Sequence, residues 1–364
     1  MRIVLTTGFY NRRLSAEQII TRRIAFHRFA QELQKLGHEL VVMYPFKHDA
    51  ELNRGGVAYR FVRASAWARW LAFGRSDREL ATRMLPVVAD FAPDIIHFSG
   101  LTLDLNLWLV SRWGRRAGVP VVVQYHGGRP ATNLLRRTIQ RGNVRRATRL
   151  LLTAPEQADG WPVEDKVELI TEMSSDFRPM PNSDLTGEPV ILCASQLVER
   201  KRPLTVLRGM VELVQERPRA HLHWAFHTAT LLPTVEQFIA DHGLREHVTL
   251  LGNVPHAAME RLYGAADFFV QASDEEVASI AVLEAMACDV TPVLSDIAPF
   301  RRLTDRGRFG RLFPLDDPQA MANAFLLGKH NGVRAHFLSI HSYSVLARQL
   351  EEVYRRARED SGER

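Results

Sequence analysis

The segment from Asp267 to Leu294 constrains this chain more than any other. An apolar run, Asp267-Phe-Phe-Val-Gln-Ala272, enters the polar loop Ser273-Asp-Glu-Glu276; a helical stretch follows to about Cys288, and a second apolar run, Thr291-Pro-Val-Leu294, closes the unit. Strand, loop, helix, strand is a βαβ unit, and its loop lies at the carboxyl end of a strand, where open α/β sheets bind ligands. With about 3.6 residues per turn, Glu276 in the loop and Glu284 about two turns along the helix fall on nearly one face, about 10 Å apart. That arrangement suits a ligand with two separated polyol groups. The spacing alone also fits two solvated helix positions; the flanking strands argue for the ligand.

The alternation continues through the chain. Strands fit near 2–7, 39–44, 57–62, 94–98, 120–125 and 149–153, with helices near 22–36, 76–90, 103–117 and 131–146, and Lys166-Val-Glu-Leu-Ile-Thr closes this half. Parallel strands need such crossovers, so the pattern predicts a doubly wound α/β sheet. Strands near 189–194, 220–226, 248–251, 267–272, 291–295 and 309–313 repeat it. Between the halves, the segment from Asp176 to Pro189 is rich in Pro and turn formers. The expected organisation is a first domain over 1–178, a linker over 179–188, a second domain over 189–343 and a terminal helix over 344–364. In that helix Val345, Leu346, Leu350, Val353 and Tyr354 recur at helical spacing.

Charge is unevenly divided. Residues 1–184 hold 27 Lys and Arg against 18 Asp and Glu, whereas residues 185–364 hold 20 against 23. A basic first half implies an anionic partner. Without a helix-turn-helix, zinc finger or aromatic–basic sheet signature, no nucleic-acid partner is expected; an anionic membrane surface or a phosphate-bearing acceptor fits better. Residues Leu134 to Arg146 form a basic amphipathic segment suited to such a surface, with Gly142-Asn143 expected to break its helix. The two cysteines, Cys193 and Cys288, lie far apart and suit a reducing compartment. Met1 leads directly into a strand and no apolar run reaches about 18 residues, so the expected address is the cytoplasm, with peripheral contact at the inner face of a membrane as its extension.

Glu276, Glu284 and the following Ala-Met-Ala resemble the carboxyl-terminal signature of retaining GT-B glycosyltransferases, particularly the large family 4. The resemblance runs in order through Met1-Arg-Ile-Val-Leu5, Gly37-His-Glu-Leu-Val-Val42, Pro93-Asp-Ile-Ile-His97, Pro120-Val-Val-Val-Gln-Tyr-His-Gly127, Leu251-Gly-Asn-Val-Pro255 and Leu262-Tyr-Gly-Ala-Ala-Asp267. It implies GT-B architecture, two Rossmann-like doubly wound domains facing an interdomain cleft. It also implies transfer of a sugar, with retention, from a nucleotide-diphosphate sugar to a hydroxyl acceptor. The nucleotide sugar would be a co-substrate, with no metal and no other cofactor. In the family the last helix crosses back to the first domain.

The same resemblance assigns candidate residues. Breaking the anomeric bond builds negative charge on the departing diphosphate, which needs fixed cations or N–H groups. Lys201 matches the family's diphosphate-binding lysine. Ser195-Gln196-Leu197 replaces the usual Gly-Arg-Leu; Gln196 supplies no cation, and Arg200 or Arg202 is the expected substitute because a guanidinium binds phosphate bidentately. Glu276 matches the acidic residue at the donor sugar and Glu284 the one at the ribose, while Val277, Ala278, Ser279 and Ile280 open a helix whose N–H groups face the ligand. Val277-Ala278-Ser279 is bulkier than the family's glycines, and Asp289 stands where Gly is common, which alters the expected sugar pocket. His126 matches the cleft histidine near the reacting centre, placed to bond a sugar hydroxyl or move a proton. Expected on the acceptor side are Gly8, Arg12, Arg13 and His97. Gly8 stands alone where the family has a Gly-Gly pair; Arg12 and Arg13, with Arg22, Arg23 and Arg28, point to a phosphorylated or carboxylated acceptor or else form a solvated helix face, and the Leu134–Arg146 segment suits a membrane carrying a lipid-linked acceptor. Glu276, His126 and Lys201 are the expected catalytic set. A glycosidase fits less well, because a basic loop accompanies the carboxylates. The missing Gly pair and Gln196 leave one alternative, a catalytically silent relative that binds a sugar, a nucleotide or a partner protein.

Overall fold

A computed structural model describes the chain apart from residues 9–12, 65–81, 101–104, 126–133, 159–160, 162–163, 171–173, 181–184, 278 and 363–364. It divides into two compact units: Met1–Glu172 with Tyr343–Arg364, and Met173–Ser342.

The first unit contains β1 (Arg2–Thr7), α1 (Ala16–Arg22), α2 (Ile24–Lys35), β2 (Glu39–Phe46), β3 (Ala50–Arg54), β4 (Val57–Arg63), α3 (Met84–Phe91), β5 (Ile95–Ser99), α4 (Leu105–Ala117), β6 (Val121–Gln124), α5 (Leu134–Arg146), β7 (Arg149–Leu152) and β8 (Val167–Leu169). Its sheet runs β3-β4-β2-β1-β5-β6-β7-β8. All pairings are parallel except the β3–β4 hairpin. Helices cover both faces, so the inner strands are buried on both sides and read as continuous apolar runs.

The helix expected at 22–36 is α2; ahead of it stands the short additional helix α1, started by a capping box between Ser15 and Gln18 and ended at Arg23 (φ −111°, ψ 39°). The edge strand β3 was not foreseen, although Gly55-Gly56, both at positive φ, form its hairpin turn. The expected break at Gly142-Asn143 does not occur. Helix α5 runs through both, because Asn143 and Val144 are fully buried and tertiary packing outweighs the roughly 1 kcal/mol that a helical glycine costs.

The second unit contains β9 (Val190–Ala194), α6 (Pro203–Glu216), β10 (His221–Ala225), α7 (Leu232–Asp241), β11 (Val248–Gly252), α8 (His256–Ala265), β12 (Phe268–Gln271), α9 (Ile280–Ala287), β13 (Thr291–Ser295), α10 (Ala298–Leu303), β14 (Arg311–Phe313), α11 (Pro318–Leu326) and α12 (Val333–His341). Its all-parallel sheet runs β11-β10-β9-β12-β13-β14, reversing direction between β9 and β12. Phe177 O accepts from Arg334, Arg178 N donates to Glu260, and Met180 packs on Gly264, which together bind the start of the expected linker into this unit.

The last helix, α13 (Tyr343–Gly362), belongs to the first unit. Leu346, Leu350, Val353 and Tyr354 are buried there with Phe29 and Leu33 of α2, while Arg149, Glu168, Arg356 and Asp360 form ion pairs at its far end.

Candidate active site

Strands β9, β10, β11 and β12 all end at one cleft of about 590 Å³ in the second unit. It lies where the strand order reverses, the position at which neighbouring crossover loops part and leave room for a ligand.

Two loops build its charged wall. After β9 the chain makes a single 3₁₀ turn, Glu199–Lys201; after β12 it runs through Ser273–Glu276. They are stitched together by Asp274 N donating to Arg200 O at 3.0 Å and by Arg202 Nε donating to Asp274 Oδ1 at 2.6 Å. Lys201 Nζ is ion-paired with Glu276 Oε1. The same oxygen accepts from Gln271 Nε2 at 2.7 Å and from Ser273 Oγ at 2.9 Å. Gln271 Oε1 in turn accepts from Ser279 Oγ at 2.9 Å, and Ser279 caps α9 by accepting from Val282 N. One buried amide thus ties Glu276 to the start of the helix that carries Glu284.

Glu284 lies inside α9, 5% exposed. Its Oε2 accepts from Tyr263 at 3.0 Å and its Oε1 bonds His256 Nε2 at 2.6 Å. His256 and Tyr263 are seven residues apart on α8, so both reach from one helix face. Burial, reinforced by the charge of Glu284, pushes the Tyr263 hydroxyl far up its titration scale and keeps it a donor. The hydrogen bond to Glu284 raises the His256 imidazole above its ordinary value, against the opposing effect of burial. The Phe177 ring lies 5.1 Å from that of His256 and 5.9 Å from that of Tyr263.

Of the expected residues, Gln196, Arg200, Lys201, Glu276, Ser279, Ile280 and Glu284 line this cleft. Arg200 Nη2 donates to Gln196 Oε1 at 3.0 Å, which places its guanidinium beside the position lacking the usual arginine, whereas Arg202 is engaged by Asp274. Val277 is partly exposed beside Glu276; Ala278 lies outside the described residues. Asp289 sits just past α9 at φ 65° and caps the backbone with Oδ1, which accepts from Arg334 N at 2.8 Å.

The remaining expectations fall in the first unit. His126 and Arg12 lie outside the described residues; Gly8 is buried after β1 and Arg13 is exposed ahead of α1. His97, expected on the acceptor side, is 3% exposed within β5, with Nδ1 on the Tyr354 hydroxyl at 2.5 Å and Nε2 on Gln124 Oε1 at 3.0 Å, so its ring is held in the interior of the first unit. Arg23 is also drawn inward, its charge disfavoured by burial. Sequence reasoning missed Gln271, His256 and Tyr263. A polar Gln at the end of an apolar strand, and a His opening a helix after Pro255, were the available signals.

A doubly wound unit with a lysine, an arginine and two carboxylates at its switch point defines a binder of ligands that are both anionic and hydroxyl-rich. Comparison with known proteins makes this specific. Residues 188–327 match the family model described as glycosyl transferases group 1, and residues 23–161 match the glycosyl transferase 4-like domain. Phosphatidyl-myo-inositol mannosyltransferase of Mycolicibacterium smegmatis is 25% identical, covering 90% of this chain and 88% of that protein. Among solved structures, a glycosyltransferase from Rickettsia africae superposes with a TM-score of 0.71 at 14% identity, covering 98% of both chains. The Anabaena protein HepE in complex with UDP gives 0.68 at 14% identity, over 98% of this chain and all of that one. The chain belongs to the group 1 glycosyltransferases, family 4-like retaining enzymes of GT-B fold that transfer a sugar from a nucleotide-sugar donor.

Proposed function

We propose that the cleft of the second unit is the donor site, and that the acceptor is an anionic, lipid-linked hydroxyl compound. The observation that carries the donor assignment is the meeting of Lys201, Glu276 and Glu284 in one cleft at the switch point. In this reading Lys201 and Arg200 take the diphosphate and neutralise the charge that grows on it as the anomeric bond breaks. Glu284 accepts two ribose hydroxyls, held in place by Tyr263 from below. Glu276 faces the donor sugar. Its Oε1 already accepts three hydrogen bonds, which suits it to bonding hydroxyls and not to covalent attack. The acceptor hydroxyl then enters on the face that the diphosphate leaves, giving retention without a glycosyl-enzyme.

Two observations support the acceptor class. The Mycolicibacterium relative is named for a phosphatidylinositol acceptor. Along α5, Leu134, Arg137, Arg141 and Arg145 are exposed at helical spacing, a basic stripe suited to anionic headgroups. Among the described residues no helix is long and apolar enough to cross a membrane.

The donor assignment is tested with a panel of UDP-, GDP-, ADP- and TDP-sugars, following thermal shift and release of free nucleotide. One donor is expected to stabilise the chain and be slowly hydrolysed, with both effects lost in Lys201→Ala. Binding and turnover untouched by that substitution would place the donor elsewhere.

A further inference from the structure

We propose that His256 is a positioning residue of the donor cleft which surrenders Glu284 to the incoming nucleotide, so that binding the donor expels a proton from the protein. The proposal rests on the placing of the ribose at Glu284 argued above.

Glu284 is held at both oxygens, but by unequal partners. Tyr263, at Oε2, is fully buried under the cleft and has nowhere to go. His256, at Oε1, has a side chain 69% exposed and reaches the carboxylate from the cleft mouth. Both Glu284 and His256 line the cleft. A ribose that places two hydroxyls on this carboxylate approaches through the mouth, where the His256 ring stands against Oε1, and in this proposal it displaces Nε2 from that oxygen. At 2.6 Å the contact is short, and with the imidazole protonated it is a charge-assisted bond in which Nε2–H donates to the carboxylate. Once two hydroxyls satisfy Glu284, the imidazole loses the group that retains its proton.

The other groups around His256 do not replace Glu284 in that task. On its own helix are Glu260 and Tyr263; Glu260 Oε1 is taken by Arg178 N at 2.8 Å. From the segment before β9 come the Phe177 ring and Arg178, and Phe177 O is bonded by Arg334 of α12 at 3.1 Å. Cys288, at the end of α9, donates its Sγ hydrogen to Arg178 O. Among the described residues, Glu284 is the one acidic group hydrogen-bonded to the imidazole.

The direction follows from linkage. While Glu284 bonds it, the imidazole is held above its ordinary value. With the nucleotide bound, the value falls back. The complex therefore holds fewer protons than the free protein in the window between the two, and donor affinity rises with pH there and levels off above it.

The experiment is isothermal titration of UDP-glucose and GDP-mannose into the full chain, at about pH 6 to 8, in buffers of different ionisation enthalpy. Intact nucleotide sugars are used because the diphosphate diester carries no proton that titrates near neutrality. Wild type is expected to release protons on binding, at most about one per nucleotide, and His256→Gln is expected to bind with no release, since its amide can still donate to Glu284. Equal proton balance in the two proteins, or proton uptake by wild type, would overturn the proposal while leaving the donor site intact if Lys201→Ala still abolishes binding. Failure of every sugar nucleotide in the panel to bind would overturn the donor-site reading and this inference with it.

Discussion

At Glu276 Oε1 three donors converge, and Gln271 is the one whose other end fixes the cap of α9. Replacing it by Leu keeps the volume but leaves Ser279 Oγ and Glu276 each short of a partner. Such a loss costs about 1–3 kcal/mol. Turnover is expected to fall about tenfold or more, with KM for the donor changing less, because the carboxylate proposed to face the sugar is misplaced while the cations proposed for the diphosphate remain; steady-state kinetics on Gln271→Leu measure the split. Equal losses in kcat and stability with an unmoved ratio would mean that Gln271 only supports the fold. Asp289 offers a second check. It adopts the left-handed conformation at φ 65° and supports it with the bond to Arg334 N. Asp289→Ala retains the strain and loses the bond, so a destabilisation of about 1–3 kcal/mol is expected in denaturant titration; Asp289→Gly also relieves the strain and is expected to be close to neutral. The residue was legible as a departure from a glycine, but what it does was not. Read along the chain it suggested a changed sugar pocket, whereas its work is to end a helix. His256 and Gln271 were illegible for a related reason: their partners are in other elements, 28 residues away for His256 and Glu284, and only packing brings them together.

At the scale of elements, the terminal helix α13 was readable because its apolar spacing is strict, and the βαβ alternation was readable for the same reason. Less readable were places where two local rules compete. Helix α5 contains a glycine and an asparagine that favour a break, and buried neighbours overrule them. Strand β3 is short, with only partly buried and exposed positions, so it carries little apolar pattern to detect. Two predictions belong here. Charge reversal of Arg137, Arg141 and Arg145 to Glu on the exposed stripe of α5 is expected to abolish sedimentation with phosphatidylinositol-containing vesicles, while leaving donor binding unchanged. Wild-type binding should weaken as salt rises, since exposed charges are screened over about 10 Å at 0.1 M. Binding to the phosphatidylinositol-containing vesicles that survives the reversal would remove the assignment of this stripe to the membrane. Deletion of 343–364 uncovers the face of α2 that packs Phe29 against Tyr343, and removes the hydroxyl that holds His97. Aggregation of the truncated chain on size exclusion is the expected result.

For the whole molecule, several histidines are held neutral by burial. His341 is the strongest case: desolvation, with His336 nearby, drops it to about 4. Its folded value lies below the unfolded one. Stability is therefore complete above the ordinary 6.5 and is lost as pH falls from there towards 4, where the unfolded chain takes up a proton that the folded chain refuses. The full effect is about 3 kcal/mol. His221, lowered by burial and by the neighbouring His223 and His247, adds in the same direction. Urea titrations at stepped pH should show the midpoint of the second unit falling below about pH 6.5, and His341→Phe should flatten that fall. The pair of Lys201 and Glu276, with side chains only 11% and 9% exposed, bears on the selectivity expected of the proposed site. In the proposed donor site, free phosphate drawn to the lysine strands a carboxylate in a confined space, and a free sugar drawn to the carboxylate strands a cation. Only a molecule carrying anion and hydroxyls on one skeleton substitutes for both halves together. Phosphate or monosaccharide alone is therefore expected to compete poorly for the proposed site, because each engages one half of this contact and leaves the other charge unbalanced.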